Sequence, residues 1–453
     1  MSTKRSIYEE ITIESNDRKR TVDIKSGVVG IDYYEDIFSP TITAKIYVAN
    51  AGDTISPPDS DGSPDGPKQS IYNGLPLRGG ERVAIKIAPN SNTNQPLDFA
   101  TNSTKYLYVS SITDVVSESQ REIFTLHLVS REAITNETSR VGKKYKVDST
   151  IDASVQDILK TYLKTDKIGT IDKTSNKYGF IGNLRKPFTV LVWLASKSVP
   201  NSSGDSTAGF VFYQTQDGFQ FRSIDGLITQ PAKAKYGYTE VNQSEVEYQG
   251  SPEIQSNDFK ILNYSVSKNQ DLIAKLRMGT YASYRIFYNP LTFNFTDPGQ
   301  RVFKLEDYAG GNSLGTPFGE DESQLPKLND SSSLGLGDVP SRILTQVLDI
   351  GTLEKDVKTT ENADPTKYQS QSLMRYNLLF TQTISMIVPL NTNLRAGDVI
   401  DCKFPKISRE SKEEFDTETS GLYMIKELCH HFDSTGSYTS MKLLRDTFGP
   451  NTQ

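Results

Sequence analysis

Alternation of apolar and polar positions dominates the first 130 residues and returns near the end of the chain. Residues 42–49 (ITAKIYVA) and 82–88 (RVAIKIA) alternate throughout, and residues 121–130 (REIFTLHLVS) alternate over most of their length. A period of two places successive side chains on opposite faces of a strand, so these stretches predict half-buried β-strands. The Pro-, Gly- and Asp-rich residues 56–70 predict a long loop between the first two.

The middle of the chain, residues 131–254, mixes helical and strand patterns. Apolar positions at helical spacing predict a helix over 152–164 whose buried face comprises Val155, Ile158, Leu159, Tyr162 and Leu163. Pro187 suits a first helical turn and opens a second predicted helix. Residues 210–224 alternate around Asp217-Gly218, which predicts a β-hairpin.

Residues 255–298 return to a strand pattern, most clearly at 281–289, and a loop-rich stretch follows at 308–338. The apolar spacing of RILTQVLDI predicts a helical segment around 342–350. From about residue 376 to 448 the pattern is again that of β-strands.

Two of these β-rich regions match each other. LRGGERVAIKI (77–87) resembles LRAGDVIDCKF (394–404), and residues 107–131 align without gaps beside 422–446 at an offset of 315 rather than 317. This alignment pairs Leu107, Tyr108 and Leu128 with Leu422, Tyr423 and Leu443. Several strands matched in order at a near-constant offset favour two copies of one β module over chance similarity between short strands.

The repeat has a simple physical interpretation. A Gly-acidic step, Gly80-Glu81 in one copy and Gly397-Asp398 in the other, ends a turn, because Gly tolerates the positive φ that tight turns often need. In the strand that follows, alternate residues are expected in the core: Val83, Ile85 and Ile87, and then Ile400, Cys402 and Phe404. Cys402 is therefore predicted to behave as a small apolar residue.

These patterns predict a mainly β chain with an α+β middle domain. The predicted domains are a first β-barrel domain at 1–130, the middle domain at 131–254, and a second β-barrel domain split between 255–300 and 374–453 by a loop and helix insertion at 301–373. A length of 453 residues is sufficient for several such cores.

Composition narrows the class of function. The net charge of −6 weighs against tightly bound nucleic acid, because that affinity rests on clustered cations. Two cysteines imply no disulfide framework. The first ten residues lack an apolar signal region and residues 188–195 are too few to span a bilayer, so we expect a soluble protein made in a cytoplasm, without membrane insertion.

Residues 429–432 (CHHF) are the strongest candidate for a metal site. Cys429 and His431 share one strand face, and Cys402 is a further candidate ligand, but His430 points the opposite way. A tetrahedral zinc site then lacks donors, so a partly buried strand is the preferred interpretation. We predict no metal site.

Other catalytic or ligand motifs are weak. Asp59, Asp61 and Asp65 resemble a calcium loop, yet Pro64 and Ser70 stand where that loop needs Gly and an acidic residue. With three histidines and no G-x-S-x-G elbow, the sequence offers few candidates for a catalytic centre. We predict no enzyme activity and no cofactor.

The chain resembles the central baseplate hub proteins of contractile-tailed, T-even-like phages, the gene-product-27 type. The matching blocks are residues 33–48, 75–83, 187–198, 210–221 and the region from 394 to 448. The positions that carry the resemblance are Tyr34, Glu35, Asp36, Phe38, Pro40, Leu77, Gly80, Glu81, Phe188, Trp193, Phe212, Tyr213, Gly218, Phe219, Leu394, Gly397, Asp398, Gly421, Tyr423, His430, Arg445 and Asp446.

The resemblance implies two tail-tube-like antiparallel β-barrel domains per chain and a homotrimer. Three chains with two barrels each would form a six-membered ring, which adapts the six-fold tail tube to a three-fold spike. The implied partners are tube or tube-initiator proteins above and a trimeric cell-puncturing spike protein below, with DNA passing through the lumen without stable binding. An acidic lumen would suit that passage. The implied location is the virion tail baseplate.

Some parts of the chain match no pattern of that family. The loops 56–70, 200–208 and 305–338 are candidates for contacts with baseplate wedge proteins, or are solvated loops. Two alternative functions stay open at this point. One is the hub or spike base of another contractile injection system, and the other is a cell-wall-degrading or glycan-binding tail protein.

Overall fold

The computed structural model describes residues 4–51, 69–90, 94–118, 121–201, 207–238, 257–268, 271–296, 301–305, 312–317, 325, 327–329, 331, 333–349, 362, 365–406 and 415–449. The calcium-like residues Asp59, Asp61 and Asp65 lie outside these ranges, as do residues 202–206 and much of 305–338. Within the described ranges, no helix combines the length and apolarity needed to cross a membrane.

The first part of the chain is a set of antiparallel strands with short helical links. Its elements are β1 (Ile7–Glu14), β2 (Thr21–Asp23), β3 (Val28–Asp36), β4 (Thr43–Ala51), α1 (Ile71–Gly74), β5 (Arg82–Ala88), β6 (Leu97–Asp98), β7 (Leu107–Ser117), β8 (Arg121–Ser130) and α2 (Arg131–Thr138). The predicted alternation is confirmed, because Val83, Ile85 and Ile87 on β5 are all buried. Ser70 caps α1, its hydroxyl oxygen accepting from the backbone N–H of Asn73.

The middle of the chain packs helices against a small sheet. Its elements are β9 (Lys144–Tyr145), α3 (Ile151–Thr161), β10 (Ile168–Ile171), β11 (Phe180–Ile181), α4 (Pro187–Ala195), β12 (Phe210–Thr215), β13 (Gly218–Ser223), α5 (Ile224–Ile228) and β14 (Lys235–Gly237). Both predicted helices are confirmed, and Pro187 lies in the first turn of α4. The predicted hairpin is confirmed as well, with Thr215 paired to Gly218 across the turn.

The last part of the chain contains β15 (Asn263–Lys268), α6 (Leu272–Met278), β16 (Ala282–Asn289), β17 (Asn294–Phe295), β18 (Val302–Lys304), β19 (Arg342–Val347), α7 (Pro365–Leu378), β20 (Gln382–Pro389), β21 (Val399–Lys403), β22 (Gly421–Asp433) and β23 (Ser437–Arg445). The predicted helix around 342–350 is wrong, because residues 342–347 form β19. That strand pairs in parallel with β16 over six residues, and this long-range pairing outweighs the local apolar spacing.

A second difference concerns the predicted grouping of 255–300 with the second module. β16 and β17 form a separate four-stranded sheet with β18 and β19. Of the strands described between 255 and 300, β15 alone joins the strands at the end of the chain. The buried side of the separate sheet packs on α7, where Phe303 and Met374 share a core.

Strands from both ends of the chain form one large sheet in the order β15-β20-β23-β22-β3-β4-β8-β7-β5-β1-β2, with β21 beside β22. Within it, the run β15-β20-β23-β22-β21 repeats the run β3-β4-β8-β7-β5 strand for strand. The chain is therefore mainly β, as predicted, and contains one strand module twice.

The turns before β5 and β21 match in detail. Gly80 and Gly397 both have φ of +92°, as the Gly-acidic prediction requires. The N–H of Gly80 donates to the carbonyl of Val109 at 2.7 Å, and the N–H of Gly397 donates to that of Ile425 at 2.8 Å. These two bonds make Val109 and Ile425 equivalent positions in the two modules.

That equivalence corrects the sequence alignment on β7 and β22 by one residue. Val109 pairs with Leu128 and Ile425 pairs with Leu443, so the predicted match of Leu128 with Leu443 is confirmed. Before residue 113, however, each β7 residue corresponds to the β22 residue one place later than predicted. β7 has an additional bulge between Thr113 and Val116, which an ungapped alignment cannot represent.

Each module has its own hydrophobic core. Ile85 in the first and Cys402 in the second are 1% and 0% exposed, so the predicted core position of Cys402 is confirmed. Burial raises the pKa of the Cys402 thiol well above its ordinary value, which keeps it protonated and apolar in character.

Candidate functional site

The two modules are joined edge to edge through β22 and β3. β22 is long enough to have two partners: its first four residues pair with β21, and the residues from Glu427 to Asp433 pair with β3. The register runs from Glu427 opposite Asp36 to Asp433 opposite Gly30. We call this β22–β3 junction the in-chain seam.

Charged groups cross the in-chain seam. His431 Nδ1 lies 2.5 Å from Asp32 Oδ1, and Lys426 Nζ lies 2.7 Å from Asp36 Oδ2. The hydrogen bond with Asp32 raises the pKa of His431. Burial favours protonation of Asp32, but hydrogen bonds from His431 and Tyr47 outweigh it and lower the pKa of that carboxyl. The seam is therefore held by the Lys426–Asp36 ion pair and the His431–Asp32 hydrogen bond as well as by backbone hydrogen bonds.

These groups lie on the face of the sheet that points away from the two module cores, which we call the polar face. Paired residues of neighbouring strands share a face, so the registers define its members across the modules. They include Asp32, Tyr34, Lys45, Tyr47, Thr125, His127, Glu427, Cys429, His431, Asp433, Tyr438, Ser440 and Lys442. Hydroxyl groups and oppositely charged pairs make up most of this surface.

Two edges equivalent to the seam strands have no partner among the described residues. β7 corresponds to β22. Its pairing with β5 involves Leu107 and Tyr108. Residues 111–117 pair with β8 on one side, and their other side has no described partner. β15 corresponds to β3 and pairs with β20 on one side. An open edge presents unpaired backbone groups and is a template for strand addition.

Glu35 forms a buried junction between the first module, the middle of the chain and the second module. Its carboxylate accepts hydrogen bonds from Tyr33 Oη at 2.7 Å, the Gln216 N–H at 2.7 Å and the Ala396 N–H at 2.9 Å. Arg395 lies beside it and donates from Nε to Asp217 Oδ2 at 3.0 Å. Burial raises the pKa of Glu35, which Arg395 and the three donors partly offset.

His430 completes this junction from the core side of β22. Its ring stacks on Tyr33 with 6.1 Å between centroids and hydrogen-bonds Thr439 Oγ1 at 3.0 Å. Burial and the nearby Arg395 lower the pKa of His430 to about 3, so the ring is neutral at physiological pH. The sequence placed His430 and His431 on opposite strand faces, and the structure confirms it.

A second buried junction is formed by Arg375 of α7. Its guanidinium donates to Asp225 Oδ1 at 2.6 Å and to Asp446 Oδ2 at 3.1 Å, and the Arg375 side chain is 1% exposed. Asp225 belongs to α5 and Asp446 follows β23, so three separated chain segments meet at one cation. Sequence reasoning missed Arg375 and Asp225, because no local pattern indicates a pairing across 150 residues.

The remaining resemblance positions lie in cores, turns and contacts between units. Leu77, Phe188, Phe212, Tyr213, Phe219, Leu394 and Tyr423 are buried. Phe38 follows β3 and stacks on Phe380 at 5.6 Å, while Pro40 lies in the same turn. Trp193 is 39% exposed and packs edge-on against Tyr178 and Phe180. The acidic turn residues Glu81 and Asp398 accept from the N–H groups of Arg78 and Arg395.

The glycine and arginine positions have close contacts. Gly218 has φ of +124° in the hairpin turn, and a Cβ there would lie 2.8 Å from the carbonyl oxygen of Lys167. Gly421 opens β22 with φ of +128°, against the guanidinium of Arg445. Arg445 lies over the Tyr423 ring at 5.3 Å and donates to the carbonyl oxygens of Glu418 and Ser420. Each of these residues is therefore in close contact with neighbouring backbone, guanidinium or ring atoms.

No cluster of three or more potential metal ligands occurs among the described residues. Cys429 and His431 do share the polar face, but Cys402 lies in a module core. His431 uses both ring nitrogens on carboxylates, Nδ1 on Asp32 and Nε2 on Asp433 at 3.2 Å.

The fold is similar to that of two solved tail proteins. The tail protein from Neisseria meningitidis MC58 aligns with a TM-score of 0.52 and 10% identity over 96% of each chain. The 43 kDa tail protein of prophage MuSo2 from Shewanella oneidensis aligns with a TM-score of 0.51 and 9% identity, over 97% of this chain and 100% of its own. No protein-family model and no curated protein matches the sequence.

Proposed function

We propose that this chain is a structural, non-enzymatic hub of a phage tail baseplate. In this proposal it assembles as a homotrimeric ring that joins a six-fold tail tube on one side to a three-fold cell-puncturing spike on the other. The tail-protein fold supports the class of protein. The ring and the partners are supported by the internal duplication described below and by the resemblance to baseplate hubs.

The observation that carries the proposal is the in-chain seam. One module is joined to the next by strand pairing within a single sheet. Among the described residues, β15 ends that sheet on one side and the outer half of β7 lacks a partner on the other, and these two strands correspond to the strands that meet at the seam. Applying the same junction between chains adds further modules in the same direction. Closure after three chains gives six modules, whereas a junction that did not close would give an open filament.

The polar face supports a role for the ring as a conduit. Three of its carboxylates have basic partners: Glu427 contacts Lys442 at 2.9 Å, and Asp36 and Asp32 contact the seam residues Lys426 and His431. The resemblance to baseplate hubs left open which carboxylates line a lumen, and the carboxylates named here each have a basic partner. A lumen lined by paired charges and hydroxyl groups exerts little net attraction on phosphates, which suits the passage of DNA without retention.

Light-scattering mass of the purified protein, alone and mixed with a candidate trimeric spike protein, tests the proposal. We expect three chains per particle, ring-shaped projections with six lobes in negative-stain micrographs, and a stable complex with the spike. A monomer in both samples at micromolar concentration would overturn the ring. Hydrolysis of purified peptidoglycan by the isolated protein would contradict the non-enzymatic role.

A further inference from the structure

We propose that the outer half of β7 pairs antiparallel with β15 of a neighbouring copy, in the register of the in-chain seam, and that this inter-copy seam is uncharged where the in-chain seam is charged. This inference rests on the proposed ring and adds its contact residues. The two seams would alternate around the ring, so each would occur three times in a trimer.

The register on β15 follows from strand equivalence. Ala44 of β4 pairs with Leu128, and Ile384 of β20 pairs with Leu443, so Ala44 and Ile384 are equivalent positions. Tyr33 pairs with Ala44, and Val266 pairs with Ile384. Val266 in the second module is therefore equivalent to Tyr33 in the first, and by the same step Ser265 is equivalent to Asp32.

The register on β7 is anchored beyond its second bulge. Val116 pairs with Ile123 of β8, and His431 pairs with Tyr438 of β23, at equivalent places in the two modules. Because His431 lies opposite Asp32 at the in-chain seam, Val116 is expected opposite Ser265 of the neighbouring copy. This pair is the sharpest consequence of the proposal.

The exposed side chains at both edges fit an apolar contact. Val115, Val116 and Ile123 are 42%, 52% and 37% exposed near the β7 edge, and Leu262 and Val266 are 42% and 43% exposed at the β15 edge. Natural proteins protect free edge strands with charged residues or proline, because exposed apolar edges recruit other strands. Apolar residues at both edges are what a strand interface between copies requires.

The two seams therefore differ in chemistry. At the in-chain seam His431 pairs with Asp32, while the equivalent positions of the inter-copy seam are Val116 and Ser265, which carry no charge. Salt screens ion pairs and leaves apolar contacts largely intact. We expect the mass of the assembled particle to be the same at low and high ionic strength.

Disulfide crosslinking of the full chain tests the register. Oxidation of the V116C/S265C double variant is expected to give a covalent trimer that reduction dissolves, because directly opposed strand residues are close enough for a disulfide. The matched control is V116C/S385C. Ser385 of β20 pairs with Ser265 of β15 and so lies two strand spacings, about 10 Å, from the expected position of the neighbouring copy's Val116. This pair should form no crosslink. Each single variant is measured as well, because Cys429 is partly buried rather than fully enclosed.

The outcomes separate the pairing from the ring. A particle of three chains by mass in which V116C/S265C fails to crosslink would overturn the pairing and leave the ring proposal standing, whereas a monomeric wild type would overturn both. Val116→Lys keeps the test informative if the cysteine variants fold poorly. Because Val116 is exposed, Val116→Lys should leave the monomer folded. It should raise the concentration for half-dissociation by about tenfold or more, since a lysine would lie opposite Ser265 with no carboxylate of the kind that Asp32 offers His431. Unchanged assembly of Val116→Lys would contradict the pairing.

Discussion

Substituting alanine for the two equivalent turn glycines should separate backbone strain from packing. Gly80 and Gly397 share φ of +92°, so Gly80→Ala and Gly397→Ala force an L-residue into the same unfavourable backbone conformation. That strain is on the order of 1–2 kcal/mol at each position. The surroundings differ. A Cβ at Gly80 would lie 3.1 Å from the amide oxygen of Asn16, whereas a Cβ at Gly397 would lie 2.4 Å from the hydroxyl of buried Tyr213.

The expected losses in free energy of unfolding follow from this difference. Gly80→Ala should lose about 1–2 kcal/mol, because Asn16 is near the surface and its side chain is able to move. Gly397→Ala should lose a further ~1–3 kcal/mol, because the buried Tyr213 ring must shift within a packed core.

Urea-induced unfolding of both variants, followed by circular dichroism, measures the two losses as shifts of the transition midpoint. The decisive control is Gly397→Ala combined with Tyr213→Phe, which removes the hydroxyl that the new methyl group meets. The double variant should then be less stable than Tyr213→Phe alone by about the same free energy of unfolding that Gly80→Ala loses relative to the wild type. Equal losses for the two single variants would refute the packing argument, and an undiminished loss in the Phe background would assign it to another contact.

Three further predictions follow from the buried and paired groups. Arg375→Met should lower the free energy of unfolding by about 3–5 kcal/mol, because two buried carboxylates lose their shared cation; a loss below 1 kcal/mol in urea unfolding would contradict this. The pKa of His431 is raised in the folded state by Asp32, so its contribution is full below the unfolded pKa of about 6.5 and is lost as pH rises through the folded pKa. The difference in free energy of unfolding between wild type and His431→Gln should therefore be larger at pH 6 than at pH 9, and the reverse trend would exclude the ion pair. Cys402→Ser should lower the free energy of unfolding by about 1–3 kcal/mol, because it buries a hydroxyl group, and should leave the particle mass measured by light scattering unchanged. An unchanged free energy of unfolding would show that water reaches the site.

Local pattern was sufficient for much of the fold. Alternation identified β4, β5 and β8, Pro187 marked the start of α4, and Asp217-Gly218 marked the hairpin, because each depends on a period or a turn preference encoded within a few residues. The repeated Gly-acidic step revealed the duplication for the same reason. The alignment failed by one residue on β7, where a bulge adds a residue without leaving a sequence signature.

Long-range pairing accounts for what the sequence did not reveal. Residues 342–347 had helical apolar spacing but form β19, since β16 offers a strand edge for them to pair with. The charged contacts of Glu35, Arg375 and Lys426 join segments far apart in the chain, and nothing in the flanking residues distinguishes them from solvated charges.

The sequence by itself determined that the chain is β-rich, that one module occurs twice, and that Cys402 is a core residue. Periodicity and turn chemistry are local properties, so they can be derived residue by residue. Only the tertiary structure decided that the modules share one sheet and that β22 divides its length between two partners. It also showed that the equivalent edges of β7 and β15 have no partner within the described ranges. Strand partners are chosen by the packing of whole faces and edges, which is a property of the assembled molecule rather than of any one segment.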